Sequence, residues 1–243
     1  MSKVPSWLVT RPVAHRGLHG DGRPENTLAA FEAAVQAGLP IELDVQLTAD
    51  HKMVVHHDTD LKRLSGRDER VRDMTVDQLR NIRIAGTDQH PPSLSETLDY
   101  IDGRVPILLE IKAGDLRYLR ASATGAAVRD YAGPLAVQSF DPFIVAWFHR
   151  NAPEVVRGQL AGSLADVRSI GWGTRLLLQN LALTTVSRPH YVGYEFGVTT
   201  RMRSWLIRRK WPLILWTITT RHDMDQALEL ADNVIFEGFD HSG

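Results

Sequence analysis

The stretch IELDVQLTADHKMVVHHD, Ile41 to Asp58, holds Glu42, Asp44, His56, His57 and Asp58 in sequence otherwise fit for a buried sheet. Charges buried without partners cost several kcal/mol, so such a segment needs compensation. Glu42 and Asp44 are two apart on a strand-like run and therefore point to one side. Like charges at that spacing repel, and one tends to stay protonated. A divalent cation relieves the repulsion, and carboxylate oxygens are the ligands that Ca²⁺ and Mg²⁺ select. The structural alternative is a solvated pair on an edge strand; the apolar flanks Ile41, Leu43 and Val45 argue against it.

Glu110 and Lys112 repeat the spacing in ILLEIK, where Ile107, Leu108, Leu109 and Ile111 surround the glutamate. A buried glutamate needs a partner. Either Lys112 forms a structural ion pair with it, or Glu110 is a third metal ligand and Lys112 faces an anion. His15 and Arg16 end the run VAHRG. An imidazole passes protons near neutral pH and a guanidinium fork suits phosphate, while Gly17 permits a close turn. His57 is a second candidate, with Asp58 orienting it or capping the next loop. His56 is expected on the opposite face, in a structural role. The other histidines have no comparable setting. A cation, two histidines and a Lys/Arg pair together describe a site for a phosphate ester. The chain has no His-x-His pair, Gly-rich dinucleotide fingerprint or Walker motif, which weighs against a zinc-dependent barrel hydrolase and the nucleotide-binding classes.

The elements that must position these residues alternate. Short apolar runs (PVAHRG, IELDV, MVVHHD, PILLEIK, LAVQSF, YVGYEF, LILWTIT, VIFEG) are separated mostly by helical patterns. One has Leu28, Phe31 and Val35 on one face, Asn26 or Thr27 as N-cap and Gly38 as its stop; another opens with a Ser93-x-x-Glu96 capping box. Alternation, polar strand ends and length favour a (β/α)8 TIM barrel in a single domain, residues 1–243, over an open doubly wound sheet. Between Val45 and Met53 there is no room for a crossover helix, so a hairpin turning near Asp50 and His51 is expected, with Asp44 opposite His57. A formal charge of −1 and a pI near 6.8 give no nucleic-acid footprint. The absence of cysteine excludes disulfides and thiolate chemistry. No apolar run has the length of a transmembrane helix and the start lacks a signal-peptide core, so a soluble, cytoplasmic protein is expected.

AHRG, PENTLAAFEAA, ELDVQLTAD, VVHHDTDLKRLSG, SLSETLDYI, LLEIK, VQSF and LWTIT follow one another as in the glycerophosphodiester phosphodiesterases, which the first 140 or so residues resemble strongly. The resemblance implies a barrel with its site at the C-terminal mouth and cleavage of glycerophosphodiesters to glycerol 3-phosphate and an alcohol. It implies one divalent cation, Ca²⁺ or Mg²⁺, on Glu42, Asp44 and Glu110, with His15 and His57 as acid and base. Arg16 and Lys112 then look like phosphate contacts, Trp216 is a later substrate-side echo, and residues 59–92 occupy the place of a small insertion after the strand bearing His57. Departures come late: Thr219 stands where the family commonly has Asn, VIFEGFD replaces its usual final strand, and Ala161–Pro189 matches nothing firmly. Glu195 either lines the mouth or is an exposed strand end. The rival readings are a lysophospholipase D with the same centre, and a barrel that binds a phosphodiester or polyol without turnover. RMRSWLIRRKW is either a solvated basic helix face or a surface that rests on anionic lipid.

Overall fold

A computed structural model of the chain describes residues 4–20, 22–163 and 179–239. The fold is the expected (β/α)8 barrel. Two compact units organise the chain: Val13–Leu135, and Met1–Pro12 with Ala136–Gly243.

In the first unit, β1 (Val13–Ala14), β2 (Ile41–Leu47) and β4 (Ile107–Ile111) run parallel, with Ala14 beside Ile41 and Asp44 beside Glu110. All residues of β2 and β4 are buried. On β2, Ile41, Leu43 and Val45 form one apolar face, each worth roughly 1.5–3 kcal/mol on full burial. That preference obliges Glu42, Asp44 and Gln46 to share the other face. The hairpin partner β3 (Met53–Val55) is antiparallel, but its register pairs Val45 with Val55 and Leu47 with Met53. The Asp44 carbonyl accepts from the His56 N–H at 3.0 Å. The expected pairing of Asp44 with His57 is therefore one residue off. The reason lies in the turn: it has three residues, Ala49 to His51, between the bonded pair Thr48 and Lys52, and His51 takes φ +57°. Such odd loops end in a left-handed residue.

The helix Leu28–Gln36 starts at Thr27, whose hydroxyl accepts from the Ala30 N–H. Its buried face is Ala30, Phe31 and Ala34 rather than Leu28, Phe31 and Val35. At Ser93 only half of the expected capping box forms. The hydroxyl accepts from the Glu96 N–H, while the Glu96 carboxylate turns to Arg80 and His90. Residues 59–92 carry a small core of their own, with Leu61, Val71, Leu79 and Ile82 packed on Val54.

The second unit carries β5 (Leu135–Ser139) from its second residue on, β6 (Val156–Ala161), β7 (Tyr191–Glu195), β8 (Leu213–Ile218) and β9 (Asn233–Phe236), each parallel to the next. Of the unplaced stretch Ala161–Pro189, residues 164–178 lie outside the described set, as does Asp240 of VIFEGFD. Among the described residues no helix is long and apolar enough to cross a membrane.

Candidate active site

Three buried carboxylates converge in the Val13–Leu135 unit. Glu42, Asp44 and Glu110 each offer an oxygen within 4.8 Å of the others. The register explains this: Asp44 and Glu110 are direct neighbours across β2 and β4, and Glu42 is one pleat behind. Burial raises the Glu42 carboxyl well above its ordinary range, and the negative charges of Asp44 and Glu110 push it further. Burial acts on Asp44 too, but there the Lys112 ammonium, with His57, Arg16 and His15, outweighs it and holds the group well below the usual carboxylate range. An all-oxygen, anionic, buried set of this kind fits a hard divalent cation.

Cations surround the carboxylates. Lys112 Nζ stands 2.6 Å from Asp44 Oδ1 and 2.7 Å from Glu110 Oε1. Lys112 thus forms the ion pair with Glu110 that one reading expected, and Glu110 also stands in the acidic cluster. Arg16 Nε is 3.4 Å from Asp44 Oδ2, and Arg16 Nη1 donates to Glu25 Oε1 at 2.7 Å. The turn after β1 is bent through Arg16 (φ +55°) and Gly17 (φ +79°), which aims the Arg16 N–H at Glu42 Oε2, 3.0 Å away. His15 Nε2 lies 3.9 Å from the same oxygen.

His57 reaches the site from just beyond β3. Its Nδ1 lies 2.7 Å from Asp58 Oδ1, so Nδ1–H donates to the carboxylate and Nε2 is left as the second ring nitrogen. The hydrogen bond from His57 holds Asp58 well below the usual carboxylate range; burial opposes it and Arg63 reinforces it. His56, as expected, is structural: it is buried, and its Nε2 meets the Asp60 carbonyl at 3.0 Å.

Four residues that the motifs did not single out hold this constellation. Asn26, at φ +57°, donates from Nδ2 to Asp44 Oδ2 at 2.9 Å and accepts from the Asp44 N–H at 3.2 Å. Gln46 donates from Nε2 to the His57 carbonyl at 2.9 Å and also to that of Asp58. Arg63 donates through Nη1 and Nη2 to the two oxygens of Glu25 and through Nε to Asp58 Oδ2, each at 2.7 Å. Glu25 thereby joins Arg16 to Arg63. All four carry a legible signal: Glu25 and Asn26 stand in PENT, Gln46 continues the Glu42, Asp44 face, and Arg63 stands in VVHHDTDLKRLSG.

In the other unit, Trp216 on β8 packs edge-on against Phe140, ring centroids 5.5 Å apart. Its indole N–H is buried with no hydrogen-bond partner among the described residues. Glu195 ends β7 partly buried and accepts the Ser163 N–H, so it is not a free exposed strand end.

Comparison with known sequences now decides the lineage. The model of the Glycerophosphoryl diester phosphodiesterase family matches residues 15–236. The chain belongs to this family. It is 40% identical to the uncharacterized protein YqiK of Bacillus subtilis, covering 95% of this chain and 96% of that one. It is 27% identical to a glycerophosphodiester phosphodiesterase of Caldanaerobacter subterraneus over 91% of each chain. Among solved structures, an Oleispira antarctica phosphodiesterase in complex with the product sn-glycerol-3-phosphate superposes with a TM-score of 0.80 at 22% identity, covering 95% and 94% of the two chains. A Thermotoga maritima glycerophosphodiester phosphodiesterase gives 0.73 at 26% identity, covering 94% and 95%.

Proposed function

We propose that this family member hydrolyses glycerophosphodiesters to glycerol 3-phosphate and an alcohol, with one divalent cation, Ca²⁺ or Mg²⁺, on Glu42, Asp44 and Glu110. The observation that carries the reading is the meeting of these three buried carboxylates, within 4.8 Å, beside both His15 and His57. Bound there, the cation supplies positive charge to a phosphoryl oxygen.

The chain's own residues do the rest. His15 and His57 divide the proton transfers: one takes the proton of the attacking hydroxyl, the other gives a proton to the leaving alcohol oxygen as its bond to phosphorus breaks. Asp58 keeps the His57 ring in one tautomer. Lys112 and Arg16 add positive charge beside the carboxylates, where phosphoryl oxygens would be met. Trp216 is assigned to the glycerol or alcohol portion on its motif position in LWTIT.

The test is hydrolysis of glycerophosphocholine by chelator-stripped protein, with Ca²⁺, Mg²⁺, Mn²⁺ or Zn²⁺ restored singly. Activity should vanish on stripping and return with Ca²⁺ or Mg²⁺. His15→Ala and His57→Ala should each lose about 10²–10⁴-fold in kcat while cation affinity persists. Unchanged rates in both variants would remove this mechanism. A second reading draws on a 34% identical stretch of 121 residues shared with a rat lysophospholipase D, spanning 44% of this chain and 38% of that one. Cleavage of micellar lysophosphatidylcholine with no cleavage of glycerophosphocholine would favour it.

A further inference from the structure

The helix Arg201–Arg208, in the unit that contains β5 to β9, turns large apolar side chains to solvent. It buries Ser204 and Ile207, while Met202, Trp205 and Leu206 are 66%, 54% and 53% exposed. These three stand at i, i+3 and i+4 and so form one strip along the helix. Arg201 and Arg208, a heptad apart, border the strip on one side, and Lys210 borders it on the other. Arg209 lies over the Trp205 ring, 4.7 Å from its centroid, and the Lys210 ammonium is 5.7 Å from the Trp211 ring.

Charge here is one-sided. No acidic residue occurs from Arg201 to Trp211. Arg201 and Arg208 reach Glu229 and Asp232, at 3.1 and 2.9 Å, but Arg209 and Lys210 meet no carboxylate among the described residues. The whole chain has a formal charge of only −1, so attraction to an anionic surface would come from this patch rather than from overall charge. The helix is also formed in advance: the Thr200 hydroxyl caps it by accepting from the Arg203 N–H at 3.2 Å, which spares an ordering cost on contact.

An exposed tryptophan-containing apolar strip edged by arginine and lysine is the pattern of a helix that lies in the headgroup plane of a bilayer. A second copy of the chain is the poorer occupant. A two-fold contact presents the same patch from both sides and would bring the two basic borders together. We propose that Arg201–Trp211 docks this protein on an anionic lipid bilayer. The turn Phe196–Val198 joins the carboxyl end of β7 to the helix, so docking holds that strand end next to the lipid. Neither the docking nor its test depends on the chemistry proposed above.

The experiment is sedimentation of the full chain with vesicles of phosphatidylcholine alone and of phosphatidylcholine with phosphatidylglycerol. Binding is expected only with the anionic lipid, and it should weaken as salt is raised. Arg209→Ala with Lys210→Ala should weaken partition by about thirtyfold, from about a fivefold contribution per cation at such a surface. Trp205→Ser with Leu206→Ser should abolish quenching of tryptophan by bromine-labelled lipid. Both double variants replace solvent-facing side chains and should keep the wild-type melting curve. Absence of binding to either vesicle, or equal binding by the wild type and the charge variant, would overturn the proposal. So would a wild-type dimer in analytical ultracentrifugation that Trp205→Ser with Leu206→Ser converts to monomer, since the strip would then be a subunit contact.

Discussion

Replacing Arg63 by alanine should damage turnover more than it damages the fold. Arg63 is 46% exposed and touches neither the carboxylate cluster nor His57 directly. Its three 2.7 Å bonds nonetheless tie Glu25, the partner of Arg16, to Asp58, the partner of His57. Charge-assisted hydrogen bonds contribute about 1.5–3 kcal/mol each at best, and partial exposure discounts them, so the expected loss of stability is about 1–2 kcal/mol in all. Asp58 would keep His57 as its remaining side-chain partner and could rotate with it. Misplacement of an acid or base by an ångström costs on the order of 10²-fold, so kcat should fall by roughly 10- to 100-fold. Glycerophosphocholine turnover at saturating cation reads that loss, and calorimetric titration with Mg²⁺ or Ca²⁺ should show unchanged affinity. Arg63→Lys should recover only part of the rate, because an ammonium lacks the fork that grips Glu25. Combined with Asp58→Asn, the losses should fall well short of multiplying, since both act through one chain of contacts. An Arg63→Ala protein that is folded and as fast as the wild type, or losses that multiply in full, would refute the reasoning.

Two other outcomes follow from the geometry. Gly17→Ala should destabilise the protein by about 2–4 kcal/mol in urea titrations, because the position combines φ +79° with an added Cβ only 2.9 Å from Ala30 and Phe31; a wild-type midpoint would contradict this. His190, on the edge of β7, accepts the Arg157 N–H at Nδ1. Burial, then the charges of Arg157 and His149, lowers its pKa to about 4. The unfolded histidine titrates near 6.5, so the unfolded state binds the proton first as pH falls. The stabilisation is fully present above about pH 6.5 and is lost as pH drops toward about 4. Urea unfolding across that window should show the decline, and His190→Gln should flatten it.

Much of the site was legible because strands alternate. Once Ile41, Leu43 and Val45 claim the apolar face, Glu42 and Asp44 have no other direction, and ILLEIK repeats the logic for Glu110 and Lys112. What period-two patterning misses is anything set by a turn. The hairpin register slipped by one residue because the loop Ala49–His51 is odd in length and closes through a left-handed histidine, which a symmetric reading about Asp50 and His51 does not foresee. Asn26 and Thr27 were both open as the helix cap; Thr27 caps, and Asn26 secures Asp44, a role that a capping pattern does not reveal. Arg63 stands in the motif VVHHDTDLKRLSG, but its role was hidden because its partner Glu25 lies 38 residues away and no local pattern pairs the two. The helix after Thr27 was given the right span and the wrong face, because alanines score weakly in hydrophobic patterns although their small size favours close packing.

Every side chain assigned to the cation or to proton transfer comes from the stretch between β1 and β4. Substitutions confined to residues 136–243 therefore leave each of those side chains in place.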